Sequence, residues 1–380
     1  MKILSVMRNF KNQTPSGGYD QIAKHLGSDT VRRPYISSLP LRILEKAWHY
    51  TYGDKRHLFS HLGHGYHFED RLGEEIAFWR AFVHRHDIIH INYGDWALDM
   101  LLRREFLLSA ELVATFHLPA ETVVDRFERV QRHDLEKLRG AVLLSSRDVP
   151  AFSEWLGCDK VLHVPHGIDL DVFCPTTFIP RQTARFLFVG MMLRDFEVAH
   201  RVIDRCNRDR IGAEFSVVIP PAARSFFTGC TNAEILSNIS EGELISLYQS
   251  SDALFLPLID STANNAILEG LACGLPVVTT RVGGVPDYVD DACGWLLPPG
   301  DAEAMYECVR GIVKERENAW EKRNSAYSKA KGFSWQNVAS TLLEAYNRLR
   351  TTGSFASNRV EAQKRRSGPY CVNSAVTDDG

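Results

Sequence analysis

The sequence predicts an α/β protein built from two doubly wound domains, each a parallel sheet covered by helices. Short apolar runs, several rich in Val and Ile, alternate with longer stretches of helical spacing, which is typical of βα units. Runs that are apolar on both faces suit strands of a parallel sheet buried between two helical layers. The length of 380 residues exceeds the size at which one hydrophobic core stops growing, so two domains are expected.

The predicted strands fall into two groups, one in each half of the chain. Those of the first half span residues 3–7, 88–92, 112–116, 141–145 and 161–164. Those of the second half span 186–189, 215–219, 253–258 and 277–280. Between the groups, Gly167, Pro175 and Pro180 interrupt the pattern, which indicates a linker. We therefore expect a first domain at residues 1–170, a second at 180–334, an amphipathic helix at 335–350, and a tail at 351–380 whose polar composition predicts disorder.

Composition excludes several classes of protein. Lys plus Arg number 44 against 47 Asp plus Glu, so the chain offers no general counter-charge to nucleic acid and we expect no nucleic-acid partner. The longest apolar stretches, such as 112–118, are too short to span a bilayer. Residues 1–7 form too short an apolar run before Arg8 for a signal peptide, so we expect a cytoplasmic protein. The eight cysteines form no CxxC pair, which predicts reduced thiols without a zinc or redox role.

The strongest functional pattern lies at residues 252–287. A predicted strand is followed by a polar loop and a helix, which presents free backbone N–H groups and the positive end of the helix dipole, as a phosphate site requires. Asp260, Ser261 and Thr262 are natural caps for the start of that helix. Glu269 lies one to two turns further on, where its carboxylate can accept hydrogen bonds from a diol. Gly274 suits a left-handed helix stop, and the Gly283–Gly284 pair permits close approach of backbone to a ligand.

These residues resemble the retaining family-4 glycosyltransferases of the GT-B fold, also called glycosyl transferases group 1. The resemblance is carried by Glu269-Gly-Leu-Ala-Cys-Gly-Leu-Pro-Val-Val278, by Gly283-Gly-Val-Pro-Asp287 and by the preceding segment 239–248. It implies two Rossmann-like domains that face each other across a cleft, the acceptor on the first and the donor on the second. It also implies that the helix at 335–350 packs back on the first domain.

The activity implied by the resemblance is transfer of a sugar from a nucleotide diphosphate, such as a UDP- or GDP-sugar, to a hydroxyl acceptor with retention of configuration. The acceptor would be a saccharide or a lipid-linked saccharide. Transfer would occur on the front face, with the leaving phosphate helping to accept the acceptor proton. Such enzymes need no bound metal or other cofactor, because helix dipoles and basic side chains stabilise the diphosphate.

The resemblance also assigns donor-binding residues. Glu269 would bind the ribose hydroxyls, and backbone amides of Thr262, Ala263, Asn264 and Asn265 would hold the diphosphate. Ser261 and Gly190 complete the set of donor-binding residues. Two departures from the family pattern stand out. Ser261 occupies the place of a second Glu, and Met191 and Phe196 stand where the family carries Arg and Lys. Arg194 is the nearest substitute cation and is therefore a catalytic candidate, with Arg224 as an alternative.

In the first half, the resemblance draws attention to a glycine loop and a histidine. Gly17 and Gly18 follow the first strand and precede a helix, where glycine permits a substrate or phosphate near the backbone. His117 ends a predicted strand, and its near-neutral pKa would let it orient or deprotonate an acceptor hydroxyl, or contact the donor sugar. A purely structural role for His117 is the alternative. We interpret His90 as a core or cleft-edge histidine and His166, in the interdomain element, as a hinge and structural residue.

A further group of histidines comprises His57, His61, His64 and His67. Gly63 and Gly65 break any shared helical face and no carboxylate or cysteine completes a ligand set, so an acceptor-side loop is favoured over a metal site. The surrounding stretch at 32–80 mixes aromatic, basic and His residues. It suits an acceptor surface or peripheral contact with a membrane that carries a lipid-linked acceptor.

Two other functions compete with sugar transfer. Ser261, Met191 and Phe196 replace expected polar groups, which motivates a non-catalytic protein that binds nucleotide sugars or a partner. A weaker alternative is a nucleotide-sugar epimerase or a phosphorylase on the same fold. Acceptor-dependent release of the nucleotide would distinguish the transferase from both.

Overall fold

The computed structural model describes residues 1–8, 16, 18–34, 39–52, 67–96, 98–123 and 135–356. The cluster residues His57, His61 and His64, the glycine-loop residue Gly17 and the tail from 357 onward lie outside the described residues.

The first sheet has six parallel strands in the order β2-β1-β3-β4-β5-β6. These strands are β1 Ile3–Met7, β2 Asp29–Arg32, β3 Ile88–Ile91, β4 Glu111–Phe116, β5 Gly140–Leu143 and β6 Val161–His163. The second sheet also has six parallel strands, in the order β12-β11-β10-β7-β8-β9. Its strands are β7 Ala184–Val189, β8 Ala213–Val218, β9 Ala233–Leu236, β10 Ala253–Leu256, β11 Val277–Thr280 and β12 Gly294–Leu297.

Helices cover both sheets. Those that precede the second sheet are α1 Ile22–Leu26, α2 Leu39–Tyr52, α3 Phe68–His84, α4 Met100–Arg103 and α5 Val149–Leu156. The others are α6 Phe196–Arg208, α7 Glu241–Ser250, α8 Asn265–Ala272, α9 Val285–Tyr288, α10 Ala302–Lys314, α11 Arg316–Lys331 and α12 Trp335–Thr352. None of the described helices combines the length and apolarity that crossing a membrane requires.

The predicted α/β class with two doubly wound sheets is confirmed. Strands β2, β9 and β12 were not predicted from the sequence, and each of them is an outermost strand of its sheet. An edge strand is covered on fewer sides, so it tolerates polar residues and lacks the two-sided apolar run that marks a central strand. In β2, for example, only Val31 is buried.

The chain returns to the first sheet at its end, where α12 packs beside α1. Its buried residues, which include Trp335, Leu342 and Tyr346, share a core cluster with Ile3 and Tyr19. Gly167 lies directly against Trp335: a Cβ at this glycine would fall 2.2 Å from the indole ring, so a larger residue would push the helix away. The ordered chain extends past the predicted start of the tail, because Phe355 and Ala356 are buried and donate backbone hydrogen bonds to Asp159.

Candidate functional site

The loop that follows β10 leads into α8 at the carboxyl edge of the second sheet. The helix cap is Asn264, whose side chain accepts a hydrogen bond from the Ile267 amide. The prediction that Asp260, Ser261 or Thr262 caps this helix is therefore wrong. Asp260 instead accepts from the Ser261 amide and from Arg147, and the Thr262 hydroxyl donates to the His117 carbonyl. The first backbone N–H groups of α8 thus begin one residue after Asn264.

Glu269 lies inside the protein near this helix start, with only 5% of its surface exposed. The Tyr248 hydroxyl of α7 donates a hydrogen bond of 2.8 Å to its Oε2 atom. Burial raises the pKa of Glu269 to about 7, against the opposing effects of Tyr248 and of the positive charge on Arg194. A carboxyl in this state binds a ligand that can supply hydrogen-bond donors to its ionised form.

Arg194 reaches from the loop after β7 to the start of α8. Its guanidinium donates to the Val189 carbonyl at 2.9 Å, to the Met192 carbonyl at 2.9 Å and to Oδ1 of Asn264 at 3.4 Å. These contacts use three of the five N–H groups of the side chain. Burial lowers the pKa of Arg194 to about 10, which leaves it cationic at neutral pH.

The absence of a side chain at Gly190 leaves room for the guanidinium of Arg194. The φ of Gly190 is +91°, and a Cβ there would lie 2.8 Å from the Nη2 atom of Arg194. A residue with a side chain would be strained by the backbone angle and would crowd the guanidinium. The structure thus brings Gly190, Arg194 and Asn264 together at the start of α8.

Gly283 and Gly284 pack directly against the loop that precedes α8. A Cβ at Gly283 would lie 2.0 Å from the Ser261 carbonyl oxygen, and one at Gly284 would lie 2.2 Å from that of Thr262. The Gly284 amide donates to the Ser261 carbonyl at 2.7 Å. Both glycines are thus required to keep residues 261–262 in place beside the helix start.

The carboxyl edges of the two sheets face each other and are joined by polar contacts. The backbone amide and hydroxyl of Ser146 donate to the Asp287 carboxylate at 2.7 and 2.6 Å. Arg147 forms an ion pair of 2.9 Å with Asp260. Ser16, beside the glycine loop, donates to the Glu241 carboxylate at the start of α7. A ligand bound between the sheets would therefore be enclosed by both.

His117 lies on the first-sheet side of this space, at the end of β4. Its Nε2 atom is 2.8 Å from the Asn92 carbonyl oxygen, and because a carbonyl only accepts, Nε2 carries the hydrogen and Nδ1 keeps a lone pair. The ring stacks on Tyr93, with centroids 4.6 Å apart. Burial lowers the pKa of His117 to about 3, so the imidazole is neutral at physiological pH.

A polar pair next to His117, Asp20 and Asn92, was not predicted from the sequence. Asp20 accepts a hydrogen bond of 3.2 Å from Nδ2 of the Asn92 side chain. Burial raises the pKa of Asp20 to about 6. Asn92 is itself fully buried, and its Oδ1 atom has no hydrogen-bond partner in the described part of the chain. Buried Gly18 precedes the helical turn that contains Asp20. The position of Asn92 just beyond β3, at a strand's carboxyl end, was the signal that could have identified it.

The remaining candidates have structural contacts. His90 is buried between the Thr115 and Tyr346 hydroxyls, as expected for a core histidine. His166 is buried, and its Nδ1 contacts the Gly167 carbonyl. Arg224 is exposed and donates to Ser237. His67 precedes α3 and its amide donates to Asp70. Within the described ranges, no group of three or more His, Cys, Asp or Glu residues could hold a metal ion.

Comparison with known proteins identifies the family. The profile described as "Glycosyl transferases group 1" matches residues 183–315. A D-inositol 3-phosphate glycosyltransferase of Corynebacterium jeikeium (strain K411) is 33% identical over 323 residues, which cover 74% of this chain and 77% of the relative. The chain belongs to the group 1 glycosyltransferases. It is thus an enzyme that transfers a sugar from a nucleotide sugar.

Solved structures agree on the fold of this glycosyltransferase. A sucrose-phosphate synthase from Thermosynechococcus elongatus superimposes with a TM-score of 0.66 at 15% identity and covers 92% of this chain and 99% of its own. Anabaena Alr3699/HepE in complex with UDP-glucose superimposes with a TM-score of 0.65 at 13% identity and covers 92% and 100%. The predicted GT-B fold, with two Rossmann-like units across a cleft, is confirmed.

Proposed function

We propose that the enzyme binds its nucleotide-sugar donor on the second sheet, with Glu269 at the ribose and the start of α8 at the diphosphate. The observation that carries this proposal is the position of a buried carboxylate and a half-buried guanidinium near one helix start. Glu269 and Arg194 are close enough for the charge of Arg194 to favour the ionised carboxylate. No polar partner other than Tyr248 bonds the Glu269 carboxylate in the described residues.

The ribose is the part of the donor that suits Glu269. A ribose carries two adjacent hydroxyls, and both can donate to one carboxylate. One carboxylate oxygen is already oriented by Tyr248, so the acceptor geometry exists before the ligand arrives. The two hydroxyls would replace the missing solvation of the buried charge and thereby stabilise its ionised form.

The diphosphate suits the loop 261–265 and the start of α8. Backbone N–H groups at the helix start and the remaining N–H groups of Arg194 converge there. Met191 is exposed and Phe196 stacks on Phe226, so neither supplies the charge that the family usually has at these positions. Arg194 would then be the cation that stabilises the leaving diphosphate, assisted by the helix dipole and without a bound metal.

The acceptor would bind on the first sheet, beside His117, the Gly17–Gly18 loop and the Asp20–Asn92 pair. Nε2 of His117 donates to a carbonyl, so Nδ1 carries no hydrogen. The Nδ1 atom can therefore receive a hydrogen bond from the hydroxyl of the acceptor substrate. Transfer with retention would then place the proton on the departing phosphate. We propose a saccharide or a lipid-linked saccharide as acceptor, in an enzyme of the cytoplasm with peripheral contact to its membrane.

UDP-sugars are the first donors to test. HepE, which shares the fold, was solved with UDP-glucose, and the Corynebacterium relative is named for transfer to D-inositol 3-phosphate. The decisive experiment measures release of UDP or GDP from a panel of sugar nucleotides with and without acceptor extract. We expect acceptor-dependent release by the wild type and none by Glu269→Ala. Glu234→Ala, an exposed glutamate of β9, serves as the matched control and should keep full activity.

The result also separates the competing function. A protein that binds a donor but releases no nucleotide with any acceptor would be a binding protein. Equal release by Glu269→Ala and wild type would contradict the proposed donor site while leaving the enzyme class intact.

A further inference from the structure

Helix α3 carries apolar side chains on both of its faces. Its inner face buries Ala77, Phe78 and Ala81 in the core of the first sheet. Its outer face exposes Ile76, Trp79, Phe82 and Val83, of which Trp79 is 57% and Val83 is 68% exposed. A surface helix of a globular protein normally has polar residues on its outer side. This face is therefore an apolar surface that the described chain leaves uncovered.

Helix α2 packs against α3 and extends this surface. Ile43 and Leu44 of α2 are both more than half exposed. We call the exposed apolar residues of the two helices the α2–α3 surface; they are Ile43, Leu44, Ile76, Trp79, Phe82 and Val83. Several exposed apolar side chains of this size on two contacting helices indicate an interaction site.

Basic residues border the α2–α3 surface. Arg42, Lys46, Arg80 and Arg85 are exposed, and none of the described carboxylates forms an ion pair with them. Among the described acidic side chains of this region, Glu69 pairs with Arg33, Asp70 with Arg8, and Glu75 with Arg71 and Arg104. Asp29 pairs with His86 and also interacts electrostatically with Arg80. The border is therefore positively charged and attracts an anionic partner.

We propose that the α2–α3 surface binds an anionic membrane. Aliphatic and Trp side chains beside Arg and Lys are the composition of a helix that lies in a bilayer interface, with the apolar groups among the acyl chains and the cations at the lipid headgroups. A second copy of the chain fits less well, because a symmetric contact would bring the same cations of both copies together. No described helix can cross a bilayer, so the contact is peripheral.

The position of α3 connects this surface with the acceptor site. Asp70, near the start of α3, pairs with Arg8 at the end of β1. The carboxyl ends of parallel strands meet at one edge of a sheet, so the start of α3 lies at the same edge as Gly18 and His117. The exposed apolar residues lie in the second half of α3, nearer the opposite edge of the sheet, where Arg80 donates to the Thr30 carbonyl. A headgroup-linked acceptor would therefore extend along α3 from the membrane to reach His117. Delivery of the acceptor by the membrane rests on the proposed lipid-linked acceptor, whereas binding of the α2–α3 surface to the membrane does not.

The test is sedimentation of the full chain with vesicles, without donor or acceptor, so that its outcome is independent of the proposed reaction. Vesicles of phosphatidylcholine alone are compared with vesicles containing about one third phosphatidylglycerol. We expect about tenfold or tighter binding to the anionic vesicles, weakened by ~0.5 M salt. Trp79→Gln with Val83→Gln should lower binding by about tenfold or more. Arg42→Gln with Lys46→Gln should remove most of the preference for anionic lipid.

Matched controls keep the outcome interpretable. Ile179→Gln removes an exposed apolar residue outside the surface, and Arg201→Gln with Lys314→Gln removes two exposed cations from helices of the second sheet; both should bind as wild type. A circular-dichroism spectrum and a melting temperature that match those of the wild type show that each variant is folded. Absence of binding to anionic vesicles, or equal binding by the Trp79 and Val83 variant, would overturn the proposal. A wild-type dimer that this variant dissociates would assign the surface to a second copy instead.

Discussion

The hydroxyl of Tyr248 lies 2.8 Å from Oε2 of Glu269, and both side chains are buried. The pair joins α7 to α8 and fixes the direction of the carboxylate. Burial also raises the pKa of Tyr248 well above its usual value, so the phenol stays protonated and remains the donor. Tyr248 is therefore a positioning residue for Glu269.

Tyr248→Phe removes this hydrogen bond and little else. A hydrogen bond to a charged group contributes about 1.5 to 3 kcal/mol, so donor affinity should fall about 10- to 150-fold. The donor KM should rise while kcat at saturating donor stays near wild type, because the phenol does not face the reacting atoms. Steady-state kinetics with varied donor measures both constants. A lowered kcat with an unchanged KM would contradict the role.

Donor affinity should depend on pH through Glu269. The pKa of this group is about 7 in the free protein, and only the ionised carboxylate accepts from both ribose hydroxyls. Below pH 7 the ionised fraction falls, so the nucleotide Kd should rise about tenfold per pH unit and level off above pH 7. Calorimetric titration with UDP across this range tests the prediction. Glu269→Gln should bind weakly with a flat profile.

Glu269 should also make the free energy of unfolding depend on pH. This stability should fall as the pH rises, whereas donor affinity should increase. The folded-state pKa of Glu269, about 7, lies above the ordinary 4.5, so between these values the folded chain holds a proton that the unfolded chain has lost. Its contribution is therefore fully present at low pH and is lost as pH rises through 7, by up to about 1.4 kcal/mol per unit. Glu269→Gln should match or exceed wild-type thermal stability at pH 8. A variant that is much less stable there would disprove the assigned ionisation.

Arg194 should act on turnover. Arg194→Met leaves the leaving diphosphate without its proposed cation, and loss of one such electrostatic contact lowers the rate by about 10²- to 10³-fold. Arg224→Met removes an exposed arginine of the same unit and should leave kcat unchanged. Comparison of kcat for the two variants shows which arginine stabilises the leaving diphosphate. Loss of activity only in the Arg224 variant would transfer the role to that residue.

His117 should influence kcat without creating a pH dependence. With a pKa of about 3, the imidazole is neutral throughout the range between pH 5 and 8. His117→Ala should therefore lower kcat more than donor affinity, and the kcat profiles of wild type and variant should have the same shape in that range. An inflection near pH 6.5 that only the wild type shows would mean that His117 titrates during catalysis.

The sequence predicted the central strands and the donor motif because both depend on local patterns. Strands such as β10 and β11 are apolar on both faces, and the spacing from Glu269 to Gly283 and Gly284 sets a helix, a strand and a turn in fixed order. The edge strands β2, β9 and β12 escaped notice because partial cover removes the apolar signal.

Contacts between distant segments could not be predicted in this way. Tyr248 reaches Glu269 only because α7 and α8 pack together, and Asp20 meets Asn92 across two elements of the first sheet. Asn264 caps α8 in place of the predicted residues because these make other hydrogen bonds. Asp260 accepts from Arg147, and Thr262 donates to the His117 carbonyl, both on the first-sheet side of the cleft. Local capping preference was overridden by these contacts across the cleft.

The most direct measurement of the central claim is a thermal-shift panel of UDP-, GDP- and ADP-sugars on the wild type and on Glu269→Ala. A ligand that binds only the folded protein raises its melting temperature in proportion to the logarithm of its concentration over Kd. The proposed site predicts a rise for the wild type with one class of nucleotide sugar and a rise that is abolished in Glu269→Ala. An equal rise for both proteins would contradict it.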